Sequence, residues 1–154
     1  MPGTKADELA LAIGWVVIEA GKAEGTAGEL LMLHKDPNVS VKASKWYESG
    51  NPLIEALRRL ATRQGLVDLV PLADQLEQAM RRRNDLVHGE WIPTQNLGLE
   101  SVTFRRERPN VAPDGGYAAR KWSLPDLRTL ADEYRGINDG LARLLSVRMG
   151  IAAD

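Results

Sequence analysis

Leu9, Ile13, Val16 or Val17, Ala20, Ala27 and Leu31 recur at three- and four-residue steps from about Lys5 to His34. That period sets apolar side chains on one face of an α-helix, and so long an amphipathic helix must bury the face against other elements. Three further stretches supply them. Asn51 as cap, with Pro52 in the first turn, opens a second helix that runs to about Gln64 and closes at Gly65. A third stripe passes through Leu69, Ala73, Leu76, Met80, position 83 and Val87, before Gly89, Trp91 and Pro93 end the helix. The fourth starts at Ser123-Leu124-Pro125-Asp126, with Ser123 as cap, and keeps the helical step through Leu127, Leu130, Tyr134, Ile137, Leu141 and Leu144. It is expected to pack along the first.

Punctuation divides these helices. Gly14, Gly21, Gly25 and Gly28 each weaken the first helix by about 1 kcal/mol relative to alanine, and Thr26 with Glu29 is placed to form a capping box that restarts it. The expectation is a kink near Gly25, with close helix packing at the glycines an equal alternative. Asp36-Pro37-Asn38 stops the helix, and Val39 to Glu48 reads as an irregular turn bearing Trp46 and Tyr47. Between the third and fourth helices, residues from about Leu99 to Arg106 and from Tyr117 to Trp122 have strand character. Pro109, Pro113, Asp114, Gly115 and Gly116 supply the turn between them. The expected fold is therefore mainly all-α: an up-and-down four-helix bundle in one domain over 1–154, with a β-hairpin arm over about 97–122 inserted between helices 3 and 4.

Composition narrows the function. With 154 residues, 44% of them hydrophobic and 27% charged, the chain is an ordinary globular length and mix. It has no cysteine, which excludes disulfides, thiolate nucleophiles and zinc–thiolate sites. Leu9 to Ala20 is apolar, but Asp7 and Glu8 precede it and Glu19 interrupts it, so neither a signal peptide nor a membrane span is expected. The expectation is a cytoplasmic protein that does not engage a membrane. A net charge of −1 lacks the global basic field of a duplex-binding protein, so any nucleic-acid contact must be local. Asp7, Glu8, Glu19, Glu24 and Glu29 make the N-terminal segment acidic, whereas Arg81 to Arg83, Arg105, Arg106, Arg108, Arg120 and Lys121 form basic clusters.

The chemistry concentrates in Arg81-Arg82-Arg83-Asn84-Asp85-Leu86-Val87-His88-Gly89-Glu90-Trp91. Histidine exchanges protons near neutrality, and an arginine beside it offers a planar fork of donors to a phosphate. Arg83 falls on the apolar stripe of its helix, where burying a charge is costly unless it is paired. A water-filled or phosphate-binding groove is thus the expected surrounding. Arg83 and His88 lie roughly 140° apart around an ideal helix, so one straight helix aims them imperfectly at a single phosphate. Two copies related by a two-fold axis would pool both pairs in one groove.

An arginine, a polar residue directly after it and a histidine four residues further on resemble the signature of the HEPN superfamily, here Arg83, Asn84 and His88. The bundle with a hairpin after the motif helix is similar to that family's architecture too. The resemblance implies a homodimer that cuts RNA without a metal or other cofactor. His88 would move protons as a ribose 2′-hydroxyl attacks the adjacent phosphate, Arg83 would stabilise charge on the phosphate oxygens, and Asn84 would orient His88 or the phosphate. Apart from the resemblance, Arg81 and Arg82 read as partly a solvated face that would also steer phosphate into the groove, and Trp91 as either a packing anchor or a platform for a base. The products would be a cyclic phosphate and a 5′-hydroxyl. A toxin or defence effector is the implied setting, and an antitoxin-like protein an allowed partner. Some members of the family have lost catalysis and bind only nucleotide, RNA or protein.

Blander readings stand beside these. A histidine at a helix C-terminus followed by glycine is favourable through the helix dipole alone. His34 reads as a helix-end residue, and Asp85 and Glu90 as partners of nearby arginines. Trp15, Trp46 and Trp122 read as anchors of the core or of a dimer interface.

Overall fold

The computed structural model describes residues 5–35, 50–88, 90–93, 101–106 and 117–151, and the statements below concern these. Four helices, α1 (Lys5–Lys35), α2 (Asn51–Gln64), α3 (Leu69–His88) and α4 (Leu124–Arg148), form an all-α bundle. Three short strands, β1 (Glu90–Pro93), β2 (Ser101–Arg106) and β3 (Tyr117–Trp122), lie between α3 and α4. α1 packs most extensively on α4, α2 on α3, and α3 in turn on α4. No helix among the described residues is long and apolar enough to cross a membrane.

Small residues dominate the buried face of α1, where Ala12, Val16, Ala20, Ala23, Ala27 and Leu30 all face inward. The bulk on the other side comes from α4, through Leu127, Leu130, Tyr134, Ile137 and Leu141. Leu53, Leu57, Leu69, Leu76 and Leu86 complete the core from α2 and α3, each buried leucine contributing about 1.5–3 kcal/mol relative to exposure. α3 and α4 approach closely at Gly140, where an added Cβ would come within 2.6 Å of Leu72 Cδ2.

Three local expectations are corrected. α1 is one helix from Lys5 to Lys35, with no restart at Gly25. The Thr26 hydroxyl, expected to cap a new helix, instead donates to Asn138 Oδ1 on α4 at 2.7 Å; packing against α4 outweighs the weak propensity of the glycines. Gly50 rather than Asn51 caps α2, at φ 76°, and no side chain satisfies the first turn. The third correction concerns the hairpin. β2 and β3 pair antiparallel in a register that joins Ser101 to Trp122 and Arg106 to Tyr117, but a third strand extends the sheet: β1 pairs antiparallel with β2, Trp91 opposite Thr103. Trp91 and Ile92 are strong strand formers, and the chain leaves α3 directly into the sheet. The turn expected at Val39 to Glu48, with Trp46 and Tyr47, lies outside the described residues.

The start of α4 behaves as expected. Ser123 N–H and its hydroxyl donate to Asp126 Oδ2 at 2.9 and 2.6 Å, and Asp126 N–H donates back to Ser123 Oγ at 3.2 Å. The Ser123 hydroxyl, and then its N–H, hold the Asp126 carboxyl below the usual carboxylate range. A depressed carboxylate pKa stabilises the fold above its ordinary value and ceases to do so as pH falls through the lower folded value. Ser123→Ala is expected to cost about 1 kcal/mol at neutral pH, and urea titrations at falling pH should show a shallower acid-side loss in the variant.

Gly136 is exposed in the middle of α4, and an added Cβ there meets nothing within 4 Å. Gly136→Ala should therefore stabilise by about 0.5–1 kcal/mol through helix propensity. Gly65 is the opposite case. It closes α2 at φ 64° and ψ 29°, its N–H donating to the Ala61 carbonyl, and alanine in that left-handed conformation should cost about 1 kcal/mol. Denaturant melts of the two variants should move in opposite directions.

Candidate functional site

The last two turns of α3 carry the arginine run, and each arginine finds a carboxylate. Arg81 Nη2 donates to Glu77 Oε1 at 2.6 Å, one turn back on the same helix. Glu77 also accepts from Arg58 of α2 at 2.7 Å, and the guanidinium groups of Arg58 and then Arg81 hold its carboxyl below the usual range. Arg82 reaches α4, where both Nη groups donate to the two carboxylate oxygens of Glu133, a bidentate pair.

Arg83 is the most enclosed of the three. Its side chain is 24% exposed and donates through Nη2 to Glu24 Oε1 of α1 at 2.6 Å; Glu24 itself is only 8% exposed. Nη1 donates to Asn84 Oδ1 at 3.1 Å. Tyr134 of α4 lies beside them, its hydroxyl buried and, among the described residues, without a hydrogen bond of ordinary geometry. Burial drives the pKa of this phenol far up, only partly opposed by the nearby Arg83 charge. α1, α3 and α4 thus meet at a polar knot within the bundle.

For Arg83 the sequence calls for a paired charge or a polar groove, and the structure supplies a carboxylate from a neighbouring helix while leaving the side chain 24% exposed. The physical reason is the cost of an unpaired buried charge, which an opposite charge in contact offsets. Glu24, placed by sequence in an acidic N-terminal surface, is that partner. Its position carries a signal, because Glu24 stands four residues after Ala20 on the inward side of α1, as Arg83 stands three after Met80 on α3. An acid on one inward stripe and a base on another are each other's natural partners.

Of the motif residues, the structure joins Arg83 and Asn84 but not His88. Asn84 Oδ1 accepts from Arg83 Nη1, so within one chain it orients the arginine. His88 is the last residue of α3 and is exposed. Because α3 is continuous to that residue, Arg83 turns toward α1 and His88 toward solvent, as the helical angle requires. Asp85 pairs with Arg120 of β3 at 3.5 Å, tying the sheet to α3, as a structural role for that acid requires. Trp91 is on β1 opposite Thr103; its side chain, like that of Glu90, lies outside the described residues.

Elsewhere, Trp122 is a core anchor at 3% exposure, but Trp15 is 44% exposed and anchors no core. The guanidinium of Arg135 sits 5.8 Å from the Trp15 ring centre. His34 is in the last turn of α1, where burial and then the charge of Arg148 lower its pKa, favouring the neutral ring. Comparison of the chain with family models, with curated proteins and with solved structures returns no match.

Proposed function

We propose that the chain is a HEPN-like ribonuclease that cleaves RNA at the C-terminal end of α3, as a homodimer and without a metal. One observation carries this reading: Arg83 and Asn84 are hydrogen-bonded to each other, and His88 stands exposed at the free end of the same helix. The pair to Glu24 and the bond to Asn84 engage two of the five N–H donors of Arg83, leaving others for a phosphate oxygen. The exposed imidazole is free to take a proton from a 2′-hydroxyl and return one to the leaving 5′-oxygen. Because His88 and Arg83 diverge on one helix, a second copy is required to bring both types of group to one phosphate. Arg81 and Arg82 would border the cleft, and a protein antagonist of antitoxin type would act by covering it.

A second reading rests on a different observation. Glu77, Glu133 and Glu24 offset the three arginines in turn, so the motif end of α3 has little net positive charge with which to draw a polyanion. This favours a catalytically silent module that binds a nucleotide or a protein. The discriminating experiment incubates wild type and His88→Ala with a mixed RNA pool and with DNA, in excess chelator. The ribonuclease reading expects cleavage of RNA alone, cyclic phosphate ends, and loss of activity in the variant. RNA left intact by a dimeric wild type, with nucleotide binding retained, selects the silent module.

A further inference from the structure

We infer that the exposed face of the first half of α1 is a self-association surface that pairs antiparallel with the same face of a second copy of this chain. Leu11, Trp15 and Ile18 are 63%, 44% and 50% exposed, and with Glu8 and Lys22 they fall within about 80° of one another around the helix. Large apolar side chains contiguous on one helix face mark an interaction site, whereas scattered ones do not. The buried stripe of α1, from Ala12 through Val16, Ala20 and Ala23, points to a different arc, so this face lies outside the bundle core, bordered by α4 where the Arg135 guanidinium sits beside the Trp15 ring.

Charge order along the face identifies the occupant. From the N-terminal side it reads acid, apolar, tryptophan, apolar, base: Glu8, Leu11, Trp15, Ile18, Lys22. Glu8 and Lys22 each stand seven residues from Trp15. A two-fold axis at Trp15 in an antiparallel pair therefore sets Glu8 of each copy against Lys22 of the other and lays Leu11 beside Ile18 of the other. A parallel pair would oppose like charges. Among the described residues Glu8 is exposed and has no ion-pair partner, and Lys22, 55% exposed, pairs with Glu19 on its own helix alone. Gly14 adds nothing above the backbone on the flank, which lets two helices approach to the usual 8–10 Å or so between axes. Such an isologous contact uses one patch twice, and self-complementarity is what it demands.

This surface is distinct from the α3 motif. Glu24, and with it Arg83, is about 13 Å further along α1 from Trp15 by helical rise, so the two Arg83 groups stay well apart in this pair. The inference therefore stands or falls apart from the proposed ribonuclease.

Sedimentation of the full chain with Glu8→Lys, with Lys22→Glu and with both tests it. Each single swap opposes like charges at two symmetric positions and is expected to weaken association roughly tenfold, while the double swap restores it. Disulfide trapping fixes the register, since the chain has no cysteine of its own. Leu11→Cys mixed with Ile18→Cys should give the mixed disulfide, and neither alone should cross-link, because like positions lie roughly 9–12 Å apart along the axis, beyond disulfide reach. A monomeric wild type, single swaps without effect, a double swap that fails to restore, or disulfides between like positions would each overturn the inference. An α3-mediated dimer would ignore both swaps, and His88→Ala should leave the trapping unchanged.

Discussion

Glu24→Ala is expected to destabilise the fold by about 2–4 kcal/mol, far more than removal of a surface acid. Cutting one partner from a buried ion pair strands the other, typically at about 3–5 kcal/mol; the expected value is set about 1 kcal/mol lower because Arg83 keeps 24% of its side-chain surface exposed. Arg83→Ala should cost a similar amount, since it strands Glu24, the more buried partner. The double variant should cost less than the sum of the singles, with a coupling above about 1 kcal/mol. Urea unfolding of the four proteins completes this cycle. Additive losses would mean that Glu24 and Arg83 do not depend on each other.

His88→Ala is the variant with the largest expected effect on activity, a loss of at least about a hundredfold in RNA cleavage, the usual worth of a positioned acid–base group. Its thermal midpoint should stay where wild type's is, because His88 is exposed and bonds to no described residue. Arg83→Ala is a poorer probe, since the loss of the Glu24 pair confounds chemistry with folding. Arg83→Lys separates the two. A lysine keeps the positive charge beside Glu24 but lacks the planar fork that grips a phosphate, so stability should largely survive while cleavage falls. Turnover on a defined RNA beside a melting curve for each variant reads both quantities. Retention of full activity by both His88→Ala and Arg83→Lys would remove α3 from the chemistry.

Much of this architecture is legible in the sequence. The four helices lie where apolar residues keep a three- and four-residue step, because that step is the geometry of the helix itself. Ser123 caps α4 and Gly65 closes α2 for equally local reasons: a hydroxyl within reach of the third N–H, and a residue without a Cβ at a left-handed angle. β2 and β3 follow from alternation around a turn-rich segment.

Tertiary structure decided the rest. Local signals at Gly25 and Thr26 argued for a break in α1, and contact with α4 overrode them by giving the Thr26 hydroxyl a partner in Asn138. β1 needed β2 beside it, since a four-residue strand has no stability until its backbone is paired. The largest difference is at Arg83. Sequence placed a charge on an inward stripe and so established that it needed company, but 59 residues separate it from Glu24. Which group supplied that company depended on how α1 lies across α3, and a one-dimensional pattern holds no information about that. Helices are local, so the chain's own order specifies them; a buried ion pair is a meeting of distant segments, and only packing chooses its members.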